Sequence, residues 1–243
     1  MMDDEFIKML KYLHLTGLLN NWDHYMKIAS KGGFSHIRLL KYIIEQEYNI
    51  KTENARQMRL KRAKVPEAFV METFPFKNQP KLNKKKILSI YDSLDYITKH
   101  QNVIWIGPTG SGKTGLAIAF VVHAINRGYT GRFILFPELI DMLYKSVADH
   151  TELDVINKFA SYDCLLIDEL GYVEVEPIQV GLFFTLMHKR HQNKTTLITS
   201  NLGFGQWGSF FKNDHLTAAL IDRVTENSHV INMKNCISLR PKL

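Results

Sequence analysis

Residues 107–114 read Gly107-Pro108-Thr109-Gly110-Ser111-Gly112-Lys113-Thr114. This octapeptide limits what the chain can fold into more than any other feature. The pattern G-x-x-x-x-G-K-[ST] is a phosphate-binding loop when an apolar strand precedes it and a helix follows. Both flanks are present, because Asn102–Ile106 is a short apolar run and a helical pattern continues to about Asn126. Gly110 and Gly112 lack a Cβ, so the backbone can take positive φ and its N–H groups can converge on a phosphate. Lys113 brings an ammonium to the β- and γ-phosphates, and the Thr114 hydroxyl suits Mg²⁺. The helix that follows adds its positive N-terminal end. A glycine-rich structural turn is the other reading. The expected ligand is a nucleoside triphosphate, ATP with Mg²⁺, cradled by residues 107–114.

The rest of the second half alternates short apolar runs with helical patterns. Strands are expected at Arg132–Phe136, Cys164–Ile167 and Thr195–Thr199, with edge strands near Val230–Met233 and Ile237–Arg240. Helices are expected over 137–160, as a pair, and from Pro177 to about Gln192. Such alternation predicts an α/β fold, a P-loop NTPase core with a mostly parallel five-stranded sheet covered on both faces.

Three further elements carry chemistry. Leu165-Leu166-Ile167-Asp168-Glu169 is a buried strand that ends in two carboxylates, at the edge where ligands sit in open α/β sheets. Asp168 is the expected Mg²⁺ ligand beside Thr114, and Glu169 the base that orients and deprotonates the attacking water. Leu197-Ile198-Thr199-Ser200-Asn201 ends in small polar residues. Asn201 is the first choice to read the γ-phosphate, and Thr199 the second. In Leu220-Ile221-Asp222-Arg223-Val224, Arg223 is a candidate arginine finger for a neighbouring subunit, with an intramolecular pair to a nearby acid as the competing reading. His188 and His191 stand at i, i+3 without a third metal ligand, so helix surface is the default.

Charge divides the chain. Residues 1–100 hold 18 Lys/Arg and 11 Asp/Glu, whereas residues 101–243 hold 13 of each. Such asymmetry points to a polyanionic partner, most often nucleic acid. The densest cluster is Arg56, Arg59, Lys61, Arg62 and Lys64, and a solvated helix end favoured by the macrodipole is the bland alternative. The front part reads as helical, with Phe6, Leu10 and Leu13 on one face. Ser35 is a candidate N-cap for a long helix whose apolar face carries Ile37, Leu40, Ile43 and Ile44. Another helix is expected with Ile87, Ile90, Tyr91, Leu94 and Ile97 on one face. The expected organisation is a basic helical domain over 1–66, a connector over 67–82 containing Pro75 and Pro80, and the ATPase domain over 83–243. Phe69, Phe74 and Phe76 in the connector are explained by core burial. No apolar run approaches the roughly 18–20 residues of a membrane span, and the acidic start is unlike a secretory signal. Cys164 and Cys236 can make neither a disulfide framework nor a four-ligand zinc site. A cytoplasmic protein without membrane contact is expected.

The order of P-loop, Asp-Glu strand, Thr-Ser-Asn strand and Asp-Arg helix resembles the AAA+ ATPases. Asp168-Glu169-Leu170-Gly171-Tyr172, Thr199-Ser200-Asn201-Leu202, Trp207-Gly208 and Leu216-Thr217-Ala218-Ala219-Leu220-Ile221-Asp222-Arg223 look like the IstB family of insertion-sequence helper ATPases. So do Leu13-x-Leu15-x-Gly17 and the basic helix before Pro66. DnaC-type helicase loaders share that core and supply the alternative reading. The resemblance implies a homo-oligomer that assembles with ATP on double-stranded DNA without sequence preference. It would remodel the DNA and stimulate a partner transposase, hydrolysis resetting the complex. It also implies a DNA-facing helical insert at 137–160, which makes Lys145 and Lys158 candidate phosphate contacts. Only about 40 residues follow Asn201, too few for a full helical lid, so no lid arginine can be assigned. Relatives often carry Arg or His just past the Asp-Arg pair. Here the stretch is Thr225-Glu226-Asn227-Ser228, which leaves the finger role with Arg223. A metabolic P-loop kinase is disfavoured, since the Asp-Glu pair suits water activation.

Overall fold

The computed structural model describes residues 2–67 and 69–240. The chain forms two compact units, Met1–Met58 and Arg59–Leu243.

The first unit is helical, with α1 (Asp4–Tyr12), α2 (Thr16–Asn20), α3 (Trp22–Ser30) and most of α4 (His36–Ala63). Asp3 caps α1 by accepting the Phe6 N–H at 2.7 Å, and Ser35 accepts the Arg38 N–H at 3.3 Å at the start of α4, as N-caps do. The inward side of α4 carries Leu39, Ile43 and Ile50, each half-buried, rather than Ile37, Leu40 and Ile44. Ile37, Leu40 and Ile44 are exposed, whereas Glu47 is buried. Glu47 is drawn in because its Oε2 accepts the open N–H of Leu18, at the start of α2, at 2.8 Å. Gly17 permits this approach, since a Cβ there would lie 2.5 Å from the same oxygen. On the same side Tyr25 and Tyr42 meet edge to face, with centroids 6.1 Å apart.

The second unit begins inside α4 rather than at Pro66. The reason is packing, because Ala63 is fully buried in the core of this unit, with Leu60 and Val65 against it. The segment 67–82 is likewise part of the unit, with Met71, Phe74 and Leu82 buried in the same core. Then follow α5 (Lys84–Ser93), α6 (Asp95–Thr98), β1 (Asn102–Ile106), α7 (Lys113–Asn126), β2 (Gly131–Leu135), α8 (Phe136–Ala148) and α9 (Glu152–Ser161). The unit continues with β3 (Cys164–Leu170), α10 (Pro177–Arg190), β4 (Thr195–Ser200), α11 (Phe204–Phe211), α12 (Asp214–Thr225) and β5 (Ser228–Asn232). The single helix expected around Ile87–Ile97 is broken by Leu94, whose φ is 58°. No strand forms at Ile237–Arg240, where the chain is irregular.

The described strands form one five-stranded sheet of order β2-β3-β4-β1-β5, parallel throughout. Side chains alternate between its faces. Val103, Trp105, Leu166 and Leu197 join α7 and the segment before β1 on one side. Ile104, Ile106, Leu165, Ile167 and Ile198 join α8–α12 on the other. Burial on both faces explains why these strands read as continuous apolar runs. Parallel order brings the C-terminal ends of β1, β3 and β4 side by side, and the P-loop, the Asp-Glu pair and the Thr-Ser-Asn turn meet there. Among the described residues no helix is long and apolar enough to cross a membrane.

Candidate functional site

The P-loop leaves β1 at Gly107 and enters α7 through Gly112. Gly110 and Gly112 have φ of 81° and 94°, the left-handed values that let neighbouring N–H groups form an anion nest. Ser111 Oγ is buried inside the loop and has no partner among the described residues, an orphaned donor that a phosphate oxygen would satisfy. Lys113 Nζ donates to the carbonyls of Gly107 at 2.8 Å and Pro108 at 2.9 Å. Burial pulls the Lys113 ammonium below its ordinary range, while Asp168 and Glu169 oppose that shift.

Thr114 Oγ1 donates to both Asp168 oxygens, at 3.0 and 3.1 Å, and Thr199 Oγ1 donates to Asp168 Oδ1. Burial nevertheless pushes the Asp168 carboxyl up, against the pull of those hydrogen bonds and of Lys113. A hydroxyl and a carboxylate side by side are the hard oxygen donors that Mg²⁺ takes, with water and substrate phosphate completing the octahedron. A divalent cation there would also relieve the buried carboxylate, so the residues fit the ion.

Glu169 sits at a break in the register of β3 against β4, between Ile167 and Leu170, and its φ is 62°. A bulge of this kind re-aims one side chain. Asp168 and Leu170 stay buried while Glu169 turns out to the cavity, and its N–H donates to Thr199 Oγ1 at 3.1 Å. Thr199, rather than Asn201, is therefore the residue of this segment that bonds the Asp168 carboxylate and the Glu169 backbone. Regular alternation ends at Ser200. Asn201 lies beyond it against Gly171, where a Cβ would be 2.6 Å from Asn201 Oδ1.

Lys113, Thr114, Glu169 and Thr199 line a cavity of about 300 Å³ with Thr109, Gly110, Gly112 and Gly115. Its other walls were not evident from motifs. Phe69, Phe74 and Pro75 come from the segment before β1, Tyr172 from the loop after β3, and Leu239 and Arg240 from the chain after β5. The Tyr172 hydroxyl lies 2.9 Å from that of Thr109, tying the loop after β3 to the P-loop. The Pro-rich composition of the connector was the only signal for the first group.

Arg223 lies outside this cavity. Its guanidinium stacks on Phe184 with 4.7 Å to the ring centroid, donates Nε to His188 Nδ1 at 3.2 Å, and donates to the Ala219 carbonyl at 2.9 Å. Among the described residues its intramolecular partners are thus an aromatic ring, an imidazole and a backbone carbonyl, not an acid. His191 bonds Glu226 at 2.9 Å, and among the described residues no cluster of three or more His, Cys, Asp or Glu side chains is placed for a metal. Cys164 is buried, which pushes its thiol up to about 12.

The basic residues separate. Arg59, Arg62, Lys64 and Lys158 line one cleft of about 480 Å³, joined by Arg132, Thr130 and Tyr162. Arg132 donates to the Arg62 carbonyl at 3.2 Å, which joins the start of β2 to the end of α4. The cleft lies at the N-terminal end of β2, at the opposite end of the sheet from the P-loop. Arg56 pairs with Glu53 at 2.7 Å, and Lys145 pairs with Asp141 at 2.7 Å. Lys61 is exposed and does not line the cleft.

A family model described as IstB-like ATP binding protein matches residues 8–242. The chain belongs to that family. It is 30% identical over 222 residues to the insertion sequence IS5376 protein of Geobacillus stearothermophilus, named as an ATP-binding protein, covering 91% of this chain and 88% of that one. It is 30% identical over 226 residues to the corresponding IS21 protein of Pseudomonas aeruginosa, covering 93% and 85%. Among solved structures, DnaI superposes with a TM-score of 0.54 at 21% identity, over 62% of this chain and 85% of that one. The DnaC helicase loader superposes at 0.53 and 19%, over 62% and 87%. These neighbours share the fold of the core. This IstB-like chain is an ATP-binding ATPase of that family.

Proposed function

We propose that this IstB-like ATPase is an ATP-dependent DNA-binding helper of transposition. In this reading it assembles as a homo-oligomer on duplex DNA, remodels it, stimulates a partner transposase, and is reset by hydrolysis. The observation that carries the proposal is the pairing of a hydrolytic site at one end of the sheet with an acid-free cluster of five cationic side chains at the other. Arg59, Arg62, Lys64, Arg132 and Lys158 suit the phosphate backbone, which is contacted without regard to sequence. The names of the insertion-sequence relatives support the transposition context.

At the nucleotide site, Lys113 and the loop N–H groups bind the β- and γ-phosphates. Thr114 and Asp168 hold Mg²⁺, which when bound neutralises charge on the phosphate oxygens. Glu169, turned out by the bulge, accepts the proton of the attacking water, and Thr199 ties the Asp168 carboxylate to the Glu169 backbone. Arg223 would act on the γ-phosphate of a neighbouring subunit, which requires its release from Phe184 and His188.

Fluorescence anisotropy with duplex and single-stranded DNA tests the proposal, each titrated with ATP, with ADP and without nucleotide at two salt concentrations. Tight duplex binding only with ATP, falling steeply with salt, is expected. A clear preference for single strands would overturn it and favour a helicase-loader role.

A further inference from the structure

One wall of the nucleotide cavity is a length of irregular chain that is fixed at several points. After β5, the Cys236 N–H closes a turn on the Met233 carbonyl at 2.9 Å. Ile237 is then gripped on both sides by one buried side chain. Its N–H donates to Gln79 Oε1 at 3.0 Å, and its carbonyl accepts from Gln79 Nε2 at 2.7 Å. The same Nε2 lies 3.2 Å from the Ser111 carbonyl of the P-loop. Two residues on, the Leu239 N–H donates to the Gly110 carbonyl at 2.8 Å. Contact is close along this line, because a Cβ on Gly110 would lie 2.5 Å from Ser238 Oγ, and one on Gly112 would lie 3.0 Å from Leu239 Cδ1.

The strap is thus held in register against the loop, and the next residue it delivers is Arg240. Arg240 lines the cavity with Lys113, Thr114 and Glu169. Its backbone N–H donates to Ser238 Oγ at 3.2 Å, and among the described residues its guanidinium has no hydrogen-bonding or ion-pair partner. Its charge is close enough to oppose protonation of Lys113. Two cations that repel each other across a cavity with a phosphate-binding loop suit a ligand more negative than either alone can balance.

We propose that Arg240 is a catalytic cation of this ATPase, its guanidinium donating to terminal phosphate oxygens of ATP bound to the same chain, with Gln79 as the positioning residue that holds the strap. The proposal rests on the ATPase reading and adds to it a second cation beside Lys113. Arg240 donates N–H groups only and neither gains nor loses a proton. Charge-assisted bonds of this kind are roughly twice as strong as neutral ones, and donors fixed before reaction stabilise charge as it develops. ADP lacks the terminal group, so discrimination between ATP and ADP depends on Arg240.

The test measures ATP and ADP affinity and steady-state hydrolysis for the full chain carrying Arg240→Ala, Arg240→Gln, Arg240→Lys or Gln79→Ala, with Lys113→Ala as reference. Arg240→Ala and Arg240→Gln are expected to weaken ATP roughly tenfold or more relative to ADP, the scale of a lost charge-assisted bond, and to lower kcat. Arg240→Lys restores part of both, and Gln79→Ala shifts them in the same direction by less. Unchanged discrimination and turnover in the Ala and Gln variants would overturn the proposal. So would equal loss of ATP and ADP affinity, which would make the strap a mere support for the loop. Wild-type protein as inactive as Lys113→Ala would instead overturn the ATPase reading beneath it.

Discussion

Thr199 links Asp168 to Glu169, since its hydroxyl donates to Asp168 Oδ1 while accepting the backbone N–H of Glu169. One small side chain on β4 thereby helps set where the proposed metal ligand and the proposed water-activating residue stand. Thr199→Val keeps the shape and removes both bonds. Expected is a loss of about tenfold in kcat, the scale of roughly 1.4 kcal/mol, with ATP affinity nearly unchanged and a higher Mg²⁺ requirement. Steady-state kinetics across a Mg²⁺ titration measures this. Normal turnover would remove Thr199 from the site.

Glu169 is held at a φ that costs a side-chain-bearing residue roughly 1–2 kcal/mol. Glu169→Gln is expected to keep ATP binding and abolish turnover. Glu169→Gly, equally inactive, should be more stable by about 1 kcal/mol, because glycine takes that backbone freely. Chemical denaturation of the three proteins compares them. A Gly variant less stable than wild type would show that the bulge is not strained.

His123 gives the fold a pH dependence of known sign. Its ring stacks on Tyr91 at 4.0 Å, and its Nδ1 is buried without a partner among the described residues. Burial first, and then Arg127, pull its pKa below 6.5. Burial lowers His229 in the same way. The unfolded chain takes up these protons near pH 6.5 and the folded chain only below it. Their contribution is therefore complete above pH 6.5 and is lost as pH falls through the lower folded value. His123→Phe keeps the stacking, so its melting temperature should fall less between pH 7 and pH 5 than that of wild type. Equal falls would discount His123.

The cleft at the start of β2 separates the proposed DNA contacts from merely exposed cations. Arg59→Ala with Arg132→Ala should weaken duplex binding uniformly across sequences and lower the salt slope by about one to two units. Lys145→Ala, which breaks only an exposed pair with Asp141, should have little effect. Anisotropy at several salt concentrations decides between them. Equal effects of the two changes would dissolve the cleft as a distinct site.

The strands, the P-loop and the Asp168–Glu169 pair were legible because each is a local pattern, and local spacing fixes which side chains leave the end of a strand. What was hidden lies where distant segments meet. Alternation along β4 makes Thr199 and Asn201 look equivalent, but the strand ends at Ser200 and Asn201 lies beyond it against Gly171. Arg132 reads as an ordinary strand residue until α4 and α9 bring Arg62 and Lys158 to it. Ile37, Leu40 and Ile44 look like the apolar side of α4, yet they are exposed, whereas Glu47, bonded to the Leu18 N–H, is buried. Phe69 and Arg240 share a cavity across most of the length of the second unit, a separation no periodicity can report.

The single amide of Gln79 that joins the P-loop to Ile237 also sets an order of events during synthesis. A protein is made from its N-terminus, and its segments fold as they emerge. The sheet edge at β2, the P-loop and the Asp-Glu pair can all be in place while residues 237–240 are still inside the ribosome. Gln79 then has only half its partners, and the wall of the cavity formed by Leu239 and Arg240 is missing. A nascent chain would therefore have its basic cleft before its nucleotide site is complete, and its first full engagement with ATP would wait for the last stretch of the fold to arrive.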